Sequence, residues 1–132
     1  MYTDETMEST KKSILLVEDD EVLLEMYSLK LTSEGYDVWT ALNGKEGLAV
    51  LEKQGSPALI LLDVMMPVMD GFAMLERVKA EQKWKSIPVV LLSNLGQKED
   101  IEQGKRLGAV DYLVKAKLIP AQVVEKVKEI LK

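Results

Sequence analysis

The chain has 132 residues, 47% apolar and 30% charged, enough for one domain with a real core and ordinary for a soluble globular protein. Its net charge of -5 argues against direct nucleic-acid binding, which needs a basic patch. Cysteine and histidine are both absent, which excludes disulfides, zinc–thiolate sites, thiol nucleophiles, imidazole ligands and histidine acid–base catalysis.

Met1–Lys12 reads as a disordered tail, and 13–132 as one domain. The first ten residues are polar and acidic, unlike a secretory signal. No apolar run approaches the roughly 20 residues of a membrane span, so a cytoplasmic protein with no membrane partner is expected. Ser13–Val17 is a short apolar run and the first predicted strand. It leads into four carboxylates, Glu18 to Glu21. Val22, Leu23, Met26, Tyr27 and Leu31 then recur at helical spacing, with Asp20 as a cap and Gly35 as the stop. Tyr36–Ala41 carries β-formers and is expected at a sheet edge. Asn43-Gly44 opens a second helix around Leu48 and Leu51, which Gly55-Ser56-Pro57 closes.

Ala58–Leu62 is aliphatic throughout, as in a strand buried on both faces, and it runs straight into Asp63. Pro67 and Asp70-Gly71 force turns. A third helix is predicted from about Gly71 to Gln82 with Phe72, Leu75 and Val78 inward. Ile87–Leu92 is the fourth strand and ends at Ser93-Asn94. A helix over about 97–107, anchored by Ile101, stops at Gly108. Ala109–Val114 is the fifth strand and ends at Lys115. The last helix follows Pro120, with Val123, Val124, Val127, Ile130 and Leu131 as its stripe. Five alternations of strand and helix imply an α/β fold: a five-stranded parallel sheet, doubly wound as (βα)5, in the flavodoxin-like order 2-1-3-4-5.

In such a sheet ligands bind at the carboxyl ends of the strands. Those ends carry Glu18, Asp19 and Asp20, then Asp63, Ser93 and Lys115. Strands one and three are neighbours in the proposed order, so three or four carboxylates share one pocket. Their repulsion must raise some pKa values or be relieved by a cation. Hard oxygen donors suit Mg²⁺, which is held by one or two carboxylates, waters and often a phosphate. Each residue alone has a plainer reading. Acids favour a helix N-terminus, Lys115 could snorkel, Ser93 could cap a helix, and Asp63 could start a turn. None of these explains the joint pattern.

The Val17-Glu18-Asp19-Asp20 turn, the Asp63-x-x-Met66-Pro67-x-Met69-Asp70-Gly71 run, Ser93 and Lys115, in this order and at these strand ends, resemble the response-regulator receiver (REC) domain of two-component signal transduction over about 12–132. The resemblance implies that Asp63 accepts a phosphoryl group from the phosphohistidine of a sensor histidine kinase or phosphotransfer protein. Asp19, Glu18 through water, Asp63 and the Met65 backbone carbonyl would hold Mg²⁺. Ser93 and Lys115 would bind the phosphoryl group, and Tyr112 would be the aromatic switch residue that turns inward as Ser93 moves. From the residues alone, Tyr112 reads as a half-buried strand aromatic. The implied output is a surface of helix four, strand five and helix five, which meets a downstream protein or a second copy of the chain. The implied role is a signalling switch, not an enzyme beyond its own phosphorylation and dephosphorylation.

One departure stands out. The family's lysine is usually followed by a proline in a cis bond, and here Ala116 follows. A cis bond before a non-proline residue costs about 2.5–4 kcal/mol, which favours a trans bond in the loop before Pro120 and leaves both the isomer and the placement of Lys115 open. Asn94 also stands where the family often has a smaller residue.

Three other classes compete. A phosphohydrolase of the haloacid-dehalogenase type needs a second Asp two positions after its nucleophile, where this chain has Met65. A flavin binder needs a phosphate-cradling loop after strand one, and Glu18 to Glu21 would repel that phosphate. A pseudo-receiver that only binds partners leaves Asp63, Asp19 and Lys115 without a purpose. No output domain follows the last helix in these residues, which suits either a stand-alone regulator or one part of a longer protein.

Overall fold

The computed structural model describes residues 11–132; the tail expected over Met1–Lys12 lies, up to Thr10, outside the described residues. The strands are β1 (Ser13–Val17), β2 (Asp37–Ala41), β3 (Leu59–Leu62), β4 (Val89–Ser93) and β5 (Asp111–Val114). The helices are α1 (Glu21–Ser33), α2 (Gly44–Gln54), α3 (Gly71–Ala80), α4 (Lys98–Arg106) and α5 (Pro120–Leu131). All strand pairs are parallel and their order is β2-β1-β3-β4-β5, as expected, with β2 at an edge.

Side chains alternate across each strand, and the core divides accordingly. Ile14, Leu16, Leu59, Leu61, Val90, Leu92 and Leu113 face α1 and α5, where Tyr27, Leu31, Val123, Val124 and Val127 cover them. Leu15, Val17, Ile60, Leu62, Val89 and Leu91 face the other side, with Leu51, Met74, Leu75 and Val78 above them. β3 is buried along its whole length, as its unbroken aliphatic sequence requires.

Local chemistry sets the helix starts. The Asp20 side chain accepts from the N–H groups of Val22 and Leu23, Asn43 accepts from Glu46, and Asp70 accepts from Ala73. Each satisfies a donor left over at a helix N-terminus.

Four details depart from the sequence reading. Val22 is 78% exposed. With about 100° per residue it lies nearly opposite Tyr27 and Leu31, on the same side as Leu29. In α3 the core position belongs to Met74, while Phe72 is only half-buried. That helix stops at Ala80, and the turns that follow bury Trp84 and Ile87. A short 3-10 turn occupies Lys115–Lys117, where a plain loop was expected.

Candidate functional site

β1 and β3 lie side by side with Val17 opposite Leu62. The next residue on each strand is therefore an acid at the same sheet edge. The Asp63 N–H donates to the Val17 carbonyl at 3.0 Å and the Glu18 N–H to the Ala41 carbonyl at 3.0 Å, so both strands stay fixed up to their carboxylates. Glu18, Asp63 and Ser93 are the buried polar residues of the described chain.

Gly71 holds Asp63 from behind. A Cβ on Gly71 would lie 2.1 Å from the Asp63 carbonyl oxygen, so only glycine lets α3 begin this close to the strand end. The Gly71 N–H donates to the Val64 carbonyl at 2.8 Å. This gives the Asp70-Gly71 pair two tasks, a helix cap and a close contact under the site. Sequence reading saw only the turn.

The side chains converge. Asp63 Oδ1 accepts from its neighbour's N–H, that of Val64, at 2.7 Å, and Oδ2 accepts from Lys115 Nζ at 3.2 Å. Lys115 Nζ also donates to Glu18 Oε1 at 2.7 Å, and Glu18 Oε2 accepts from the Asp20 N–H at 3.0 Å. Lys115 therefore stands between two carboxylates, with its side chain only 11% exposed. The described residues contain no cis peptide bond, so Lys115–Ala116 is trans. From the 3-10 turn the Lys115 side chain reaches both acids.

Glu18, Asp19, Asp63, Ser93, Asn94 and Lys115 line a cavity of about 240 Å³. Oxygens of Glu18, Asp19 and Asp63 lie within 4.8 Å of one another, and Asp19 is exposed at the mouth. Three hard oxygen donors at that spacing can hold a divalent cation of the Mg²⁺ type. Burial pushes the Glu18 carboxyl up to about 7, against the downward pull of the Lys115 and Asp20 hydrogen bonds. Burial would lower Lys115, but its contacts with Glu18 and Asp63 outweigh that and hold the ammonium above its ordinary range. Two buried acids with one ammonium between them leave a surplus of negative charge, so the pocket attracts a cation.

Ser93 Oγ accepts from the Leu95 N–H at 3.2 Å, and the Tyr112 hydroxyl donates to the Leu95 carbonyl at 2.6 Å. Tyr112 is buried, not half-buried. Beside the acidic cavity, Met65, Met66, Pro67, Phe72 and Leu95 line an apolar groove of about 480 Å³, rimmed by Asp19 and Asp70. Met65 is 60% exposed in it.

The receiver-domain family of response regulators matches residues 14–128. Over 126 residues the chain is 36% identical to the probable transcriptional regulator ycf27 of Pyropia yezoensis, covering 96% of this chain and 50% of that protein. It is 42% identical over 102 residues to the DNA-binding dual master transcriptional regulator RpaA of Synechocystis sp., covering 77% of this chain and 42% of that one. The chain thus spans half or less of the length of these curated relatives. Among solved structures, chemotaxis protein CheY4 of Vibrio cholerae aligns with a TM-score of 0.84 at 31% identity, covering 92% of this chain and 99% of that one.

Proposed function

The chain belongs to the response regulator receiver family, and on that premise we propose that Asp63 takes a phosphoryl group from the phosphohistidine of a sensor kinase or phosphotransfer protein. The observation that carries this reading is the convergence of Glu18, Asp19, Asp63 and Lys115 on one small cavity. Asp63 Oδ1 is fixed by the Val64 N–H at 2.7 Å, while Oδ2 has only the longer contact with Lys115 at 3.2 Å, so Oδ2 is the better placed to attack phosphorus. The P–N bond to the donor histidine breaks as the O–P bond forms. Lys115, already 3.2 Å from Oδ2, follows the charge onto the transferring group, and Ser93 offers it a hydroxyl. Glu18, Asp19, Asp63 and the Met65 carbonyl would hold Mg²⁺, which supplies the remaining charge neutralisation that phosphoryl transfer needs. The domain is 13–132, and it acts as a switch whose output face is α4, β5 and α5. Among the described residues no helix is long and apolar enough to cross a membrane.

The test is incubation with Mg²⁺ and a small phosphodonor, read by intact mass. The parent is expected to gain one phosphoryl group and Asp63→Asn none. A gain that persists in the variant would refute the assignment.

The donor's docking face is read from α1. Val22, Met26 and Leu29 form an outward apolar stripe on the helix that starts beside the acidic cavity, an arrangement that fits an apolar helix of the donor protein. In a Val22→Asp, Leu29→Asp double variant, transfer from a donor protein should slow by about tenfold or more, because losing a packed interface residue costs upwards of about 1 kcal/mol. Phosphorylation by a small donor should not change. Equal loss with both donors would place the docking face elsewhere.

The lifetime of the acyl phosphate depends on a water in line with the Asp63–phosphorus bond. By the family resemblance Met65 and Leu95 flank that approach; both line the apolar groove beside the acidic cavity, and neither can orient a water. Slow self-dephosphorylation is expected, and a Met65→Asn, Leu95→Glu double variant should decay several-fold faster, as followed by labelled phosphoprotein after donor removal. An unchanged decay would mean that the apolar border does not limit the water.

A further inference from the structure

Among the described residues Val68 is the one non-glycine with a positive φ, 70°. Its neighbours close a tight turn around it: the Met69 N–H donates to the Pro67 carbonyl at 2.7 Å. A three-residue turn of this hand is rare and strained, and a β-branched side chain is poorly suited to it. The turn is fixed at its end. The Met69 carbonyl accepts from the Gly44 N–H at 3.0 Å, and a Cβ at Gly44 would lie 2.8 Å from that oxygen, so the start of α2 grips Met69. The strain serves no core, because Val68 is 77% exposed. Glycine at 68 would remove both the strain and the exposed apolar surface. A residue kept in a strained turn with its side chain in solvent points to a contact made outside the chain.

Val68 does not stand alone. Pro67, next to it, lines the apolar groove with Met65, Met66, Phe72 and Leu95. Both charged residues on the rim of that groove are acids, Asp19 and Asp70. Met66, Phe72 and Leu95 pack on the α3 side of the sheet, whereas α1 covers the opposite side. We propose that Val68 and this groove form a second docking face, whose occupant is an apolar segment of a partner protein with lysine or arginine at its flanks. The apolar centre of that segment covers Val68 and the groove, and its cations meet Asp19 and Asp70. A partner seated here approaches from the other side of the sheet than one seated on α1. The face exists whether or not Asp63 accepts a phosphoryl group.

The experiment titrates the full chain against a fluorescent peptide with a leucine- and phenylalanine-rich centre and lysines at both ends, read by anisotropy. A second peptide has the same centre and glutamates at its ends. The parent should bind the lysine-ended peptide more tightly by about tenfold or more. Val68→Gly should weaken that binding by about tenfold, as expected for losing one well-packed contact. Its melting temperature should hold or rise, because relief of the turn offsets the freedom that glycine adds to the unfolded chain. Asp70→Asn keeps an oxygen to accept from the Ala73 N–H and removes the charge, so binding should weaken several-fold at low salt. Equal binding of the two peptides by the parent, or binding of neither, would overturn the proposal. So would unchanged affinity in Val68→Gly, or a loss that appears in a Val22→Ser, Leu29→Ser variant of α1 instead. A melting temperature several degrees lower in Val68→Gly would overturn it as well, since the valine would then serve the fold.

Discussion

Replacing Lys115 by methionine is expected to destabilise the metal-free protein by about 3–5 kcal/mol at pH 8, the range for removing one partner of a buried ion pair. The ion pairs of Glu18 and Asp63 among the described residues are both with Lys115, and both acids are buried. Methionine keeps most of the volume and removes the charge, which leaves two carboxylates facing each other without a cation. The loss should shrink as the pH is lowered towards 5. Glu18 already has its carboxyl raised to about 7 with the lysine present, and without the ammonium its pKa can only rise further. In mildly acid solution Glu18 is therefore neutral in parent and variant alike, and the charge that Lys115 offsets at pH 8 is no longer there. Mg²⁺ should restore part of the stability at pH 8 by replacing the missing charge. Phosphorylation by a small donor should still fall about 100-fold or more, because a fixed charge on the transferring group is lost. Urea unfolding at the two pH values, with chelator and with Mg²⁺, gives the stabilities. A variant as stable as the parent at pH 8 would show that Lys115 does not hold this pocket together.

The second large effect is a coupling between pH and metal in the parent. The Glu18 pKa is about 7 in the folded protein against an ordinary 4.5, so between these values the folded state binds more protons than the unfolded one. The stability from this group is complete below pH 4.5 and is lost as the pH rises through 7. The full loss is on the order of 3 kcal/mol. Mg²⁺ held at these residues would favour the ionised carboxylates, so it should oppose that loss, adding about 2.7 kcal/mol at a hundred times its dissociation constant. The chelated protein should therefore melt at lower temperature at pH 8 than at pH 5, and saturating Mg²⁺ should remove most of the difference. Asp19→Ala should abolish the response to Mg²⁺ and, by removing one of three neighbouring negative charges, raise the stability of the metal-free protein. A melting temperature indifferent to Mg²⁺ at pH 8 would count against a metal site at these residues.

Most of the frame and the candidate site were legible in the residues themselves. Runs such as Leu59–Leu62 are strands because their uninterrupted aliphatic content suits burial on both faces, and Asp20, Asn43 and Asp70 each cap the helix that follows through a contact two or three residues long. Such signals are local, so a sequence carries them whole. The alternation of elements then limits the topology to a doubly wound sheet, which puts Glu18, Asp63, Ser93 and Lys115 at one edge. Tertiary structure decided which of several locally equivalent choices is taken. α1 carries apolar residues on two sides, and only its packing on the sheet makes Tyr27 and Leu31 core and leaves Val22 and Leu29 outside. The bond from Lys115 to Glu18 spans 97 positions, a pairing that only the folded chain brings about. Tyr112 could lie in or out by its own preferences. In the folded chain it packs against Gly104, eight residues earlier and on another element, where a Cβ would meet its ring.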